Sequence, residues 1–207
     1  MIDAIVELGC QRASVAEVAR RAGVSKGVVT YHFAAKDDLL SAVISDVLSS
    51  MQGYLEPRLL AAEPLTFPER FLAAYITGWV AYYRTHARQV IALVRIFNNF
   101  RQESGDPLSA FYDPRALDIA TVAEILRRGQ ASGMLGPFSA YVMAATVKAV
   151  LDDLLLQFAA DPELDLDAYA AELVTLFERA TRPDPGAETV TTRIPDPFNG
   201  LPRLEER

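Results

Sequence analysis

One cysteine and two histidines in 207 residues leave this chain little metal or redox chemistry. A single thiol, Cys10, cannot form an internal disulfide, and with His32 and His86 it makes no zinc-ligand spacing. Beside Gly9 it is expected to be a small buried filler. No run approaches the roughly 18 uninterrupted apolar residues of a membrane-crossing helix, and no signal-peptide pattern is present. No stretch alternates in strand fashion, and there is no internal repeat. Catalytic groupings are missing too: no Ser/His/Asp set, no phosphate-binding glycine loop and no acid pair at useful spacing, Asp152 and Asp153 being ordinary helix neighbours. The expectation is an all-α, cytoplasmic, non-enzymatic protein with no metal or cofactor.

Positive charge is scarce as well, with 20 Lys and Arg against 27 Asp and Glu, a net charge of −7. The acidity is uneven. Residues 1–40 set Arg12, Arg20, Arg21, Lys26 and Lys36 against Asp3, Glu7, Glu17, Asp37 and Asp38, so that segment is neutral and the excess lies beyond it. A polyanion partner is therefore not excluded, because binding follows the local field of the contacting face. The 51% hydrophobic content is enough for a sizeable core.

The most ordered pattern runs from Ser14 to Leu40. Ser14 and Glu17 spell an S-x-x-E capping box, and Val15, Val18, Ala19 and Ala22 then fall on one apolar face. Gly23 suits a tight turn, and Ser25 can cap a second short helix reaching about His32. This is the layout of a helix-turn-helix, whose second helix can enter a DNA major groove. On that helix Lys26 with Thr30, and Gly27 with Tyr31, are i, i+4 neighbours and form an exposed face, while Val24, Val29 and Phe33 are expected inward. Lys26 suits guanine O6/N7 or a phosphate, and Thr30 a base or a phosphate oxygen. Gly27, lacking a side chain, lets the helix approach the bases.

Four tokens in register, A-S-V-A-E-V-A (Ala13 to Ala19), A-G-V-S-K-G (Ala22 to Gly27), Y-H-F (Tyr31 to Phe33) and K-D-D-L-L (Lys36 to Leu40), closely resemble the DNA-binding domain of the TetR family of transcriptional regulators. The resemblance implies that Tyr31, His32 and Lys36 hold phosphates, helped by helix amides near Ser14 and Lys36. His32 packed between helices is the alternative for that side chain. Two departures stand out. The family often has tyrosine where this chain has Thr30, and the first helix, Met1 to Leu8 with Ile2, Ile5 and Val6 inward, is about two turns short, through a misassigned start or real loss.

Beyond residue 40 the spacing predicts one helix from Asp37 to about Leu60, kinked or ended by Pro57 near Glu56. Further helices are predicted over Phe71 to His86, Arg88 to Arg101, Arg115 to Ala131, Phe138 to Ala160 and Asp167 to Thr181, the last capped by Asp165 or Asp167. Ser104 to Pro114 reads as a loop, and the Pro-rich residues 183–207 as a disordered tail. The domain plan is thus a helix-turn-helix over 1–40, a helical ligand-binding and dimerisation domain over 41–182, and the tail. Tyr75, Trp79, Tyr83, Phe97 and Asn98 supply the aromatic and polar mixture of a small-molecule pocket, or plain core. Lys148 and Asp152 are i, i+4, either a surface ion pair or polar anchors in that pocket.

The family resemblance further implies that the last two helices pair with their copies in a second subunit. Val147, Leu151, Leu155 and Phe158 with Tyr169, Leu173, Leu176 and Phe177 offer two stripes suited to this. It also implies a ligand-responsive repressor that binds a palindromic double-stranded operator as a homodimer, with an unknown small-molecule effector and no membrane partner. The competing expectation is a helical ligand-binding or interaction protein that has lost specific DNA binding.

Overall fold

Side-chain caps open three of the helices in the computed structural model, which describes residues 1–64, 66–104 and 114–183. In chain order the described helices are α1 (Ile2–Leu8), α2 (Val15–Ala22), α3 (Lys26–His32), α4 (Lys36–Ala61), α5 (Pro68–Thr85), α6 (Ala87–Ser104), α7 (Pro114–Ala131), α8 (Ala140–Ala160) and α9 (Leu166–Thr181). There is no strand among the described residues, so the all-α expectation holds. Ser14 Oγ accepts from the Glu17 amide at 3.2 Å, Ser25 Oγ from the Val28 amide at 3.3 Å, and Asp165 from the Ala168 amide at 3.0 Å. Asp165, of the two candidates, is therefore the cap of α9. The 105–113 segment of the expected loop and residues 184–207 of the expected tail lie outside the described residues.

Of the two outcomes expected at Pro57, a kink or an end, the end does not occur, because α4 continues through it to Ala61. A proline inside a helix removes one backbone bond and crowds the carbonyl four residues earlier. Pro57 is itself exposed, whereas Met51 and Leu55 just before it are buried, and their burial holds the helical path past the lost bond.

The described residues divide into two compact units. The first comprises residues 1–54, 82–104 and 155–164. At its N-terminal end Ala19, Val29 and Leu39 form a small core with Met1, Val15 and Phe33 packed against it. Gly23 makes the turn between α2 and α3 in the left-handed region at φ 68°, where a side chain would be strained. α1 is fastened to α6: Arg88 pairs with Asp3 at 2.7 Å and Glu7 at 3.1 Å, and Arg95 Nη1 donates to the Ile5 carbonyl at 3.1 Å and the Val6 carbonyl at 2.5 Å. Cys10 is buried, as a filler should be.

The second unit comprises residues 55–81, 114–154 and 165–183. Its buried side chains include Phe71, Tyr75, Ile76, Leu126, Val147, Leu151, Leu154, Leu173 and Phe177. Among the described residues no helix is long and apolar enough to cross a membrane, and no three metal-binding side chains cluster.

Candidate nucleic-acid interface and effector site

α3 carries the exposed face that its sequence spacing implies. Lys26, Gly27, Thr30, Tyr31 and His32 are all exposed, and Val29 alone of the helix is buried. Tyr31 is 85% exposed and meets His32 edge to face, ring centroids 5.1 Å apart. His32 is thus a surface side chain rather than one packed between helices. Lys36 is half-buried, its Nζ 3.4 Å from the Gln11 carbonyl. Ser14 and Ser25 are exposed with their oxygens engaged in capping.

Two details correct the sequence reading of this face. Thr30 Oγ1 donates back to the Lys26 and Gly27 carbonyls at 3.1 and 3.2 Å, so reaching a phosphate, which only accepts, requires the hydroxyl to turn outward. Val24, expected inward, is 42% exposed: it precedes the Ser25 cap, where the chain follows the turn geometry rather than the helical period. Val28, 48% exposed, was missed altogether, although its place one residue before the inward Val29 is a signal for an outward side chain.

Only the first half of the Ser14–Glu17 capping box closes. The Glu17 carboxylate instead accepts from Arg20 Nε at 2.8 Å, Arg20 Nη2 at 2.7 Å and Arg21 Nε at 2.6 Å. Hydrogen bonds from Arg20 and then Arg21 hold its carboxyl down at about 2. Arg21 also bonds Glu7 at 2.7 Å. Two of the five cations of the N-terminal segment are therefore paired with carboxylates, which weakens the module's attraction for phosphate. Replacing Glu17 by Gln removes the charge that holds Arg20. The expected outcome is tighter non-specific DNA binding, with log K against log salt steeper by about 0.9 for one further phosphate neutralised, checked by titrating duplex at several salt concentrations.

The effector residues expected from sequence fall into two groups. Tyr75, Trp79, Lys148 and Asp152 come together in the second unit: Lys148 Nζ lies 5.0 Å from the Trp79 ring centroid and pairs with Asp152, and the Tyr75 and Trp79 rings are 6.1 Å apart. Tyr83 is buried, Phe97 half-buried and Asn98 exposed, and all three belong to the first unit. Asn98 is exposed although it keeps the helical spacing of buried Ile91 and Val94. The structure adds Asp118, whose carboxylate accepts from the Tyr75 hydroxyl. Burial pushes its carboxyl up, while Tyr75 and Lys148 pull it down and Asp152 raises it. Its only trace in the sequence is an acid four residues before Val122, on the stripe that Val122, Ile125 and Leu126 bury.

Because Asp118 has a raised folded value, its contribution to stability falls as pH rises from the ordinary carboxylate range through that value. Tyr75→Phe removes the bond that favours the charged form. Its cost should be about 1–3 kcal/mol where Asp118 is charged and should shrink as pH falls through its raised folded value, checked by denaturant unfolding across a pH series.

The expected pairing stripes are largely turned inward. Val147, Leu151, Phe158, Leu173 and Phe177 are buried within the chain itself, and Leu155 and Tyr169 are half-buried. α8 is apolar over most of its circumference, so spacing alone does not tell its inward stripe from its outward one. Of the eight residues, only Leu176 stands out, at 57% exposed. On the outer side a shallow open groove of about 570 Å³ is lined by Val142, Thr146, Ala149 and Asp153 of α8 and Tyr169 of α9.

Comparison with known proteins agrees with this geometry. Residues 3–43 match the family model described as bacterial regulatory proteins, tetR family. The HTH-type transcriptional regulator BetI of Escherichia coli strain K12 is 28% identical over 169 residues, covering 66% of this chain and 87% of BetI. BetI from E. coli O139:H28 is 33% identical over 101 residues, 42% of this chain and 52% of that protein. Among solved structures, a transcriptional regulator from Rhodococcus sp. Rha1 superposes with a TM-score of 0.69 at 22% identity, covering 89% of this chain and 95% of that one. The ketosteroid transcriptional regulator KstR2 of Mycobacterium tuberculosis gives 0.66 at 14% identity, covering 88% and 91%. In sequence and fold the chain is thus similar to TetR-family transcriptional regulators, which have an N-terminal helix-turn-helix and a C-terminal helical domain.

Proposed function

We propose that the protein is a cytoplasmic, effector-responsive repressor that binds a palindromic operator as a homodimer. The observation that carries this reading is the intact α3 face, with Lys26, Gly27 and Tyr31 presented to solvent on a helix that Ser25 caps. In this reading residues 1–40 read DNA, with Lys26, Gly27, Thr30 and Tyr31 toward the major groove. Ser14, Ser25, His32 and Lys36 position the backbone. Residues 41–182 sense and pair. The effector engages Tyr75, Trp79, Lys148 and Asp152, together with Asp118, a set of aromatic and charged groups suited to fixing a small molecule.

The pairing surface is the outer face of α8 and α9 around Val142, Thr146, Ala149, Tyr169 and Leu176, in place of the inward stripe. An effector releases DNA only through unequal affinity for two states of the dimer that differ in the separation of their α3 helices. α4, one helix from Lys36 to Ala61, is the mechanical link. A gel-shift titration with DNA from the protein's own promoter tests the reading. Specific, salt-sensitive retardation supports it, and none with any promoter fragment would refute it in favour of a helical ligand-binding protein.

A further inference from the structure

The solvent face of α3 is not uniformly polar. Val28 is 48% exposed and Tyr31, one turn later, 85% exposed, while Val24, at 42%, stands just before the N-cap. The local core consists of Ala19, Val29 and Leu39 with Met1, Val15 and Phe33, so neither Val24 nor Val28 belongs to it. A β-branched residue at an exposed helical position is a poor choice for the isolated fold. Val has lower helix propensity than Ala or Lys, and its methyls remain in water. The side chain therefore serves contact made on binding. Three and four residues along the helix from Val28 stand Tyr31 and His32, both exposed, so the apolar patch is continuous with the DNA-binding face and the occupant is a major groove. A valine cannot bond a phosphate or a base-edge donor. The one apolar group displayed in that groove is the C5 methyl of thymine.

We propose that Val28, flanked by Val24, reads thymine in each operator half-site through that methyl. The proposal rests on the DNA-binding reading and adds a specificity determinant to it.

The test uses the full chain and a duplex that it selects from a random-sequence pool. Each thymine of one half-site is replaced singly by deoxyuridine, which pairs identically but lacks the methyl, and affinity is read by fluorescence anisotropy at fixed salt. At one or two positions the unaltered protein should lose about fourfold, the equivalent of about 0.8 kcal/mol for one buried methyl. Val28→Ala should bind the thymine duplex about fourfold more weakly and show almost no further loss with deoxyuridine at that position. Uniform affinity across all deoxyuridine duplexes would overturn the proposal, as would a full deoxyuridine penalty retained in Val28→Ala. Enrichment of no duplex at all would overturn the DNA-binding reading beneath it.

Discussion

Gly27→Ala is expected to weaken operator binding by about tenfold or more while making the protein more stable. The two directions follow from one geometric fact. A Cβ built on Gly27 meets only Ser25 Oγ, at 3.7 Å, an ordinary contact, so the fold has room for a side chain there. Gly27 also has no positive φ to maintain, unlike Gly23 at φ 68°. In a helix an exposed glycine costs about 0.5–1 kcal/mol relative to alanine, so the substitution should raise Tm by a few degrees. The glycine is explained instead by what lies outside the chain, since an added methyl holds the α3 backbone away from the base edges. Thermal unfolding and anisotropy on the same preparation check both effects. Loss of binding together with lower Tm would mean that Gly27 serves the fold, and unchanged binding would mean that DNA does not approach this side of α3.

The helix-turn-helix was legible in the sequence because its determinants act over three or four residues. Ser14, Gly23 and Ser25 each shape the backbone beside them, and each does so in the structure. What was not legible depends on packing across the chain. Spacing leaves Pro57 as either a kink or a stop, and buried Met51 and Leu55 decide that α4 continues. Asp118 lies 43 residues from Tyr75, and no local pattern announces their bond. α8 reads as apolar on nearly every side, so the stripe through Val147 and Leu151 looks as suited to a partner as to the core. Its complete burial shows that it is core.

That outcome gives the second large effect. With pairing through α8 and α9 as proposed, Leu176→Glu should convert the dimer to monomer and weaken operator binding by about 100-fold or more, the avidity lost when two half-sites are no longer bound by one molecule. Leu176 is 57% exposed, so a charge there adds no buried penalty to the monomer fold. At the centre of an interface with a second copy the same charge is desolvated without a partner, and the two-fold axis places it there twice. Sedimentation should show one species at half the mass, with helical content by circular dichroism unchanged. A Leu176→Glu protein that stays dimeric would place the pairing surface elsewhere. A protein that becomes monomeric yet keeps its affinity would mean that one α3 suffices.

In the proposed function the face of α3 binds a particular DNA sequence. The most direct measurement compares the Kd of the selected duplex with that of a scrambled duplex of the same length and composition across a salt series. A preference of about 1,000-fold or more is expected at physiological salt, with log K for both falling by about 0.9 per phosphate neutralised for each tenfold rise in salt. Equal affinity for the two duplexes, or no binding to either, would contradict it.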